Sequence, residues 1–367
     1  MAGVFSAPFQ PNPGVNCGTN NQIWQQTHGS PVTLSAWGGD NGDTGKITTD
    51  GLVVENAIVN GVLNVRANDV TFRNCLIQGG ALGSDPVGWA LYCINASFGF
   101  SGLLIEDCEI TRGDSSNLYI ENAVVRRCYL HDTRSDLLKT KDGAGRGNTT
   151  VESCYFTTMG HYDVDPAAHA DAWQHRGSGG NLVCRWNYFN IPGFFKTPSN
   201  RIHSASIIWQ NKGGDGAILE NNVIDSNWFY GGTNTILVSA RVADHKECYI
   251  INNKFYGETS DYDNDEGYTT NSGPWIGMGW TRYMLMASEN APYTLEYHAY
   301  NNRLYDGTLA YKTGSGPNSY NASLIDNLTA PPSIPFYDSG TVNKVDLSTG
   351  ITLRIGADEL SKSVLIY

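Results

Sequence analysis

The sequence has little charge, and little of that charge is positive. Of its 367 residues, 24 are Lys or Arg and 36 are Asp or Glu, so the formal net charge is −12 and charged residues make up 16% of the chain. An average globular domain has about 25% charged residues. We expect no nucleic-acid partner, because affinity for a phosphate backbone comes mainly from basic side chains.

Long apolar runs and metal-binding cysteine pairs are also missing. No stretch approaches the ~18 apolar residues that a membrane-spanning helix needs, and residues 1–20 lack the basic and apolar regions of a secretion signal. We therefore expect a chain made in a cytoplasm, with no membrane insertion. A cytosolic origin favours reduced thiols over disulfides. The 8 cysteines include no Cys-x-x-Cys pair, so we expect no metal, and we expect no cofactor.

Glycine, asparagine and aromatic residues are abundant. The chain has 41 Gly, 20 Tyr, 12 Phe and 9 Trp. This number of aromatic residues argues against disorder, which is associated with few aromatics. The composition favours a large β protein with many turns.

A repeat of short strands organises most of the chain. Aligned segments place four cysteines and four asparagines in one column: Cys75, Cys108, Cys128, Cys154, Asn187, Asn222, Asn253 and Asn302. Two residues later each segment has an apolar residue: Ile77, Ile110, Leu130, Phe156, Phe189, Ile224, Phe255 and Leu304. This period-two pattern indicates strands. The irregular spacing of the column excludes a propeller and predicts a parallel β-helix, an all-β solenoid whose coils differ in loop length.

The repeat also divides the chain into regions. We expect an N-terminal cap over residues 1–45, covering the first open rung, and a parallel β-helix over 46–310. After about residue 310 the repeat fades, and turn signals predict a linker or end cap over 311–340. Alternating polar and apolar residues predict a small C-terminal β module over 341–367.

Two segments resemble known protein families. The column, together with DPAAHADAWQ (165–174), resembles the right-handed parallel β-helix proteins related to pectate lyases. That fold hosts polysaccharide lyases, glycoside hydrolases and non-catalytic phage tail spikes. The segment TLRIGADELSKSVLIY (352–367) is similar to C-terminal modules of minor tail proteins in phages of actinobacteria. The resemblances imply a virion tail protein whose partners are a host surface glycan and other tail proteins, and they imply a homotrimer.

A second set of strands carries the candidate glycan-binding residues. If Leu138, Trp173 and Trp209 point inward, period two points their neighbours outward. Those neighbours form a polar column and a cationic column, which are the candidate substrate-binding residues: Lys139, Gln174 and Gln210, followed by Lys141, Arg176 and Lys212. Donors and acceptors repeated at coil spacing suit an extended glycan. Ion pairs and turn caps are the structural alternative.

The candidate catalytic residues are Asp136, Asp171 and His169. Two carboxyl groups about 5–5.5 Å or 6.5–9.5 Å apart catalyse glycoside hydrolysis, and His169 would tune a proton donor. β-Elimination would instead use Lys139 or Lys141 as the base and Arg176 as the carboxylate clamp. Hydrolysis ranks first, because an acidic chain repels a uronate-rich substrate.

Three functions stay open. The first is a phage tail protein that binds a host polysaccharide, with or without cleaving it. The second is a stand-alone polysaccharide-degrading enzyme, and the third is a purely structural tail component.

Two further segments carry weaker signals. The acidic loop with Asp261, Asp263 and Asp265 lacks the glycine and glutamate positions of a calcium-binding EF-hand, so we interpret it as a solvated loop. The aromatic insertion 267–284 includes Trp275, Trp280 and Tyr283, which would stack on sugars or pack over the solenoid.

Overall fold

The structure is a computed structural model, and it describes fifteen stretches of the chain. They are residues 10–80, 90–96, 98–140, 146–157, 170–191, 205–211, 218–231, 234–240, 243–256, 284–286, 295–304, 325–327, 332–337, 341–345 and 352–356. Within them there is one helix, α1 (Gln22–His28), whose first turn is capped by the side chain of Asn21. No described helix is long and apolar enough to cross a membrane.

The strands, numbered along the chain, form three long sheets of parallel strands. Sheet I contains β1 (Ser35–Ala36), β4 (Ala57–Asn60), β7 (Leu76–Gln78), β10 (Glu109–Thr111), β13 (Tyr129–His131), β17 (Tyr155–Thr157), β21 (Tyr188–Ile191), β25 (Trp228–Gly231), β28 (Lys254–Tyr256) and β31 (Arg303–Leu304), in that order. Sheet II contains β2 (Lys46–Ile47), β5 (Leu63–Val65), β8 (Ala90–Ala96), β11 (Gly113–Ile120), β14 (Asp136–Thr140), β18 (Asp171–Arg176), β22 (Ala205–Asn211), β26 (Asn234–Ala240) and β29 (Met284–Met286).

Sheet III completes each coil. It contains β3 (Val53–Glu55), β6 (Thr71–Arg73), β9 (Leu103–Glu106), β12 (Ala123–Arg126), β16 (Thr150–Glu152), β20 (Val183–Arg185), β24 (Asn222–Asp225), β27 (His245–Ile251), β30 (Leu295–Tyr300) and β32 (Ile325–Asn327). The short strands β15 (Arg146–Gly147), β19 (Gly179–Gly180) and β23 (Leu219–Glu220) pair in that order, and β23 pairs with β27. The chain visits sheets I, II and III in turn, which confirms the predicted parallel β-helix. The remaining strands, β33 (Thr341–Val345) and β34 (Thr352–Gly356), form an antiparallel pair.

Aromatic rings stack along the inside of sheet I. The predicted apolar column is confirmed at Ile77, Ile110, Leu130, Phe156, Phe189, Phe255 and Leu304, which pair in register along the sheet. Ile224 is wrong as a member, because Phe229 lies between Phe189 and Phe255. The four phenylalanine rings stack with centroids 4.7, 4.9 and 5.3 Å apart, so neighbouring coils share one continuous core.

The cysteine and asparagine column is confirmed, also with one correction. The backbone N–H of Cys154 donates to Asn187 Oδ1 (2.9 Å), and the N–H of Asn187 donates to Asn227 Oδ1 (2.9 Å). The N–H of Asn227 in turn donates to Asn253 Oδ1 (2.9 Å). Asn227 therefore takes the place predicted for Asn222, whose Oδ1 accepts from the N–H of Leu182 instead. Each member satisfies a buried backbone donor of the preceding coil.

The turn from sheet III to sheet I explains why this column is polar. In every coil from Asn74 onward the residue before the column member has a positive φ, near +50 to +60°: Asn74, Asp107, Arg127, Ser153, Trp186, Ser226, Asn252 and Asn301. This left-handed backbone turns the chain sharply. The turn interrupts the regular pairing of strands between coils. The backbone N–H groups of Cys154, Asn187 and Asn227 therefore donate to the side chain of the column member in the next coil.

Charges alternate along the outer face of sheet III. The paired residues, from the first coil onward, are Glu55, Arg73, Glu106, Arg126, Glu152, Arg185 and Asp225. Glu106 is buried and contacts the guanidinium groups of Arg73 (2.7 Å), Arg126 (2.7 Å) and Arg127 (2.9 Å). If one strand paired with the second strand along instead of its neighbour, residues of like charge would lie side by side. The alternating charges therefore favour the observed order of strands.

The described part of the N-terminal segment lies along the side of the coils. The N–H of Gly18 donates to Arg127 O, and Thr19 Oγ1 donates to Cys75 O. Asn21 Nδ2 donates to Asp107 Oδ1. The covering of the first open rung by residues 1–45 stays a prediction, because these contacts reach later coils.

Candidate functional site

Asp136 and Asp171 lie one above the other at the start of two neighbouring strands of sheet II. Both are buried, with 1% and 0% of their surface exposed. Asp136 Oδ1 accepts from the backbone N–H of Asp171 (2.6 Å), and Asp171 Oδ1 accepts from the N–H of Ala205 (3.1 Å). Each carboxyl group thus caps the strand of the next coil, as the structural alternative expects.

The second oxygen of each carboxyl group binds a side chain three residues later. Asp136 Oδ2 lies 2.9 Å from Lys139 Nζ, and Asp171 Oδ2 accepts from Gln174 Nε2 (2.8 Å). Lys139 Nζ also donates to the carbonyl oxygen and the hydroxyl group of Ser115 (3.1 and 3.0 Å). Four predicted site residues therefore form one network, to which Ser115 adds a contact that the sequence did not suggest.

Burial and a second carboxylate act together on Asp136. Desolvation and, to a lesser extent, the nearby charge of Asp171 raise the pKa of Asp136, Lys139 opposes both, and the net pKa is about 7. Asp136 therefore exchanges its proton near neutral pH. A carboxyl group of this kind has the acidity of a general acid. In this structure, however, it is buried and would not reach a glycan on the surface of the solenoid.

The register of the next strand differs from the predicted one. We expected Gln210 beside Gln174, but the structure pairs Gln174 with Ile208 and Arg176 with Gln210. The inward positions of Trp173 and Trp209 are confirmed, because both are fully buried. A shift of two residues along a strand preserves which side chains point inward. Alignment of the two Trp-Gln pairs therefore predicted correctly which side chains point inward, but it predicted the wrong partner for Gln174.

His175 points inward, as predicted. It is fully buried and pairs with Trp209 in the next coil. Burial lowers its pKa to about 4, so the ring is neutral near pH 7 and contributes to the core.

The outer polar column of sheet II extends further toward the N-terminus than predicted. Five consecutive coils contribute paired residues, which we call the sheet II stripe: Asn64, Asn95, Tyr119, Lys139 and Gln174. Asn95 Nδ2 donates to Asn64 Oδ1 (3.2 Å), and the ring of Tyr119 stacks on Tyr92 with centroids 4.9 Å apart. All members except Gln174 are half-buried, and the side chain of Lys139 is 21% exposed. The inward and outward alternation, continued backward from Lys139, would have found the first three members.

Several predicted site residues lie outside the described residues. They are His169, Lys141 and Lys212, the acidic loop with Asp261, Asp263 and Asp265, and the insertion with Trp275, Trp280 and Tyr283. In the part of the chain that the structure describes, no group of three His, Cys, Asp or Glu side chains is placed to hold a metal ion. All eight cysteines are buried free thiols.

Comparison with known proteins gives no match. No protein-family model, no curated protein and no solved structure is significantly similar to this chain.

Proposed function

We propose that this protein is a tail-spike-like phage tail component that binds a host surface polysaccharide along the sheet II stripe. The observation that carries the proposal is the stripe itself, an uninterrupted run of amide, phenol and ammonium groups on five consecutive coils, of which the first four are half-buried and the fifth, Gln174, is buried. Strands of one sheet lie about 4.8 Å apart, so these groups repeat at even intervals along an extended ligand.

The chemistry of the stripe favours a neutral or weakly acidic glycan. It holds one cation and no carboxylate, and Asn95 and Tyr119 offer both donors and acceptors to hydroxyl groups. The aromatic face of Tyr119 adds apolar surface for a sugar ring. The resemblance to tail spikes supports placement in a virion, where the partners would be the glycan and other tail proteins.

Binding is favoured over cleavage by the burial of the carboxyl pair. Both Asp136 and Asp171 hold backbone N–H groups of the next coil and are closed to solvent. Hydrolysis by this pair, with His169 assisting, is the second candidate, and the pKa of about 7 for Asp136 is the observation in its favour. A purely structural tail component is the third.

A glycan array probed with purified protein tests the binding proposal. We expect wild type to bind at least one class of polysaccharide and Tyr119→Ala to lose about fivefold to tenfold in affinity, the value of one aromatic contact. Val53→Ala, which changes an exposed apolar residue on sheet III, is the matched control. Equal binding by Tyr119→Ala and wild type, or no binding by wild type, would contradict the proposal.

Turnover of the bound glycan tests the second candidate. Asp171→Asn keeps the size of the side chain and removes its negative charge. If the pair is catalytic, the release of reducing ends stops in this variant while binding on the array persists. Unchanged turnover would remove Asp171 from the reaction. Co-purification with phage particles separates a tail protein from a stand-alone enzyme.

A further inference from the structure

Residues 332–337, which we call the C-terminal strap, fold back onto the outer face of sheet III. Ile334 is 9% exposed and packs in a small apolar cluster with Val223, Tyr249 and Ile251. This cluster lies outside the main core of the solenoid. The strap begins five residues after Asn327, which ends β32, the last strand of sheet III along the chain.

The polar end of the strap binds the last member of the charge column. Tyr337 Oη donates to Asp225 Oδ2 (2.7 Å), and the guanidinium carbon of Arg185 lies 5.8 Å from the centre of the Tyr337 ring. Arg185 also lies 4.3 Å from the ring of Trp186 and pairs with Glu152 (2.7 Å). Asp225 is buried and accepts further hydrogen bonds from Ser226 (2.8 Å) and Asn252 (3.2 Å).

Sheet III changes its chemistry where the strap lies. The charge column ends with Arg185 and Asp225, and the same position in the next two coils is occupied by Ile251 and then Tyr300. The ionic residues contact Tyr337, while Ile251 and Tyr300 belong to the apolar cluster around Ile334. Phe336 adds a ring contact to Tyr249, with centroids 5.8 Å apart. The strap therefore matches this stretch of the sheet in both its polar and its apolar part.

We propose that the C-terminal strap is a staple that keeps the last coils of the solenoid from unwinding. In a solenoid each coil contacts only its neighbours, so unfolding can start at an end and proceed coil by coil. A segment that contacts four coils at once links their opening, because β20, β24, β27 and β30 must then separate together. Ends and loops otherwise open at low free-energy cost.

Hydrogen exchange of the full-length chain, read peptide by peptide, tests the staple. Tyr337→Phe removes the hydroxyl group that binds Asp225, and Ile334→Ala removes most of the apolar contact. We expect amides of 243–256 and 295–304 to exchange several-fold faster in Tyr337→Phe and about tenfold faster or more in Ile334→Ala. Amides of 103–131 should exchange as in wild type.

The matched control is Phe98→Ala, which removes a 66% exposed aromatic side chain that lies outside the strap. Faster exchange confined to the last coils, absent in the control, would support the staple. Unchanged exchange in the last coils of both strap variants would overturn it. The same acceleration in 103–131 as in 243–304 would also overturn it, because the variants would then weaken the whole solenoid equally.

Discussion

Removal of the buried carboxylate of Glu106 should destabilise the solenoid more than any other single change in the charge column. The side chain of Glu106 is 4% exposed and contacts three arginines, whose side chains are 36, 36 and 30% exposed. Breaking a buried ion pair costs about 3–5 kcal/mol. The arginines can be rehydrated once the carboxylate is gone, so we expect the lower limit, about 3 kcal/mol, for Glu106→Gln.

Urea unfolding of wild type, Glu106→Gln and Glu55→Gln measures this difference. Glu55 stands in the same column, but it is 38% exposed and makes one contact of 3.5 Å with Arg73, so its loss should cost less than about 1 kcal/mol. If the two variants lost the same unfolding free energy, within about 0.5 kcal/mol, the reasoning would be refuted.

Acid should remove the same contribution from wild type. Burial raises the pKa of Glu106, but the hydrogen bonds from Arg73 and Arg126 outweigh burial, and the net pKa is lowered. A lowered pKa means that the stabilisation is present above the unfolded pKa, about 4.3, and is lost as the pH falls through the folded pKa. The difference in unfolding free energy between wild type and Glu106→Gln should therefore disappear at low pH.

Three further changes test other parts of the structure. Asn227→Ala leaves the buried N–H of Asn187 without its acceptor and should cost about 3 kcal/mol in urea unfolding, against less than about 1 for Asn190→Ala on the outer face; equal losses would contradict the corrected column. Burial opposes protonation of His131, but hydrogen bonds to Asp132 and Glu109 outweigh it and raise the pKa, so thermal stability should fall as the pH rises from about 6.5 through the folded pKa, and His131→Gln should be insensitive to that change. Burial lowers the pKa of His175 to about 4, so wild type should lose stability as the pH falls from about 6.5 toward that value. His175→Leu should lose less stability over this range, and an equal loss would show that His175 is not responsible.

The fold could be predicted because the same residue types recur at unequal intervals along the chain, and a parallel β-helix stacks such segments in register. Cys128, Cys154 and Asn187 are separated by unequal loops, yet each precedes the same alternation of apolar residues. The choice of Asn222 over Asn227 went wrong because two asparagines compete in that coil. The triplet Asn-x-Phe, present at Asn187, Asn227 and Asn253, identifies the right one.

The candidate site could be predicted only in part, because the period of a strand repeats every two residues. The inward position of Trp209 was right, while its neighbour was off by two, since such a shift leaves the alternation unchanged. The contacts of Glu106 and of Tyr337 depend on residues from distant parts of the chain that meet only after the register is set. No local pattern in the sequence contains them.

An engineered crosslink tests the register of the coils most directly. The structure pairs Gln174 with Ile208 in neighbouring strands, about 4.8 Å apart, whereas Gln174 and Gln210 are about 8 Å apart once the two-residue offset is added. Disulfides rarely join α-carbons more than about 7 Å apart. Under mild oxidation Gln174→Cys combined with Ile208→Cys should form a disulfide, and Gln174→Cys combined with Gln210→Cys should not. A crosslink in the second pair and none in the first would contradict the register in which β18 and β22 stack.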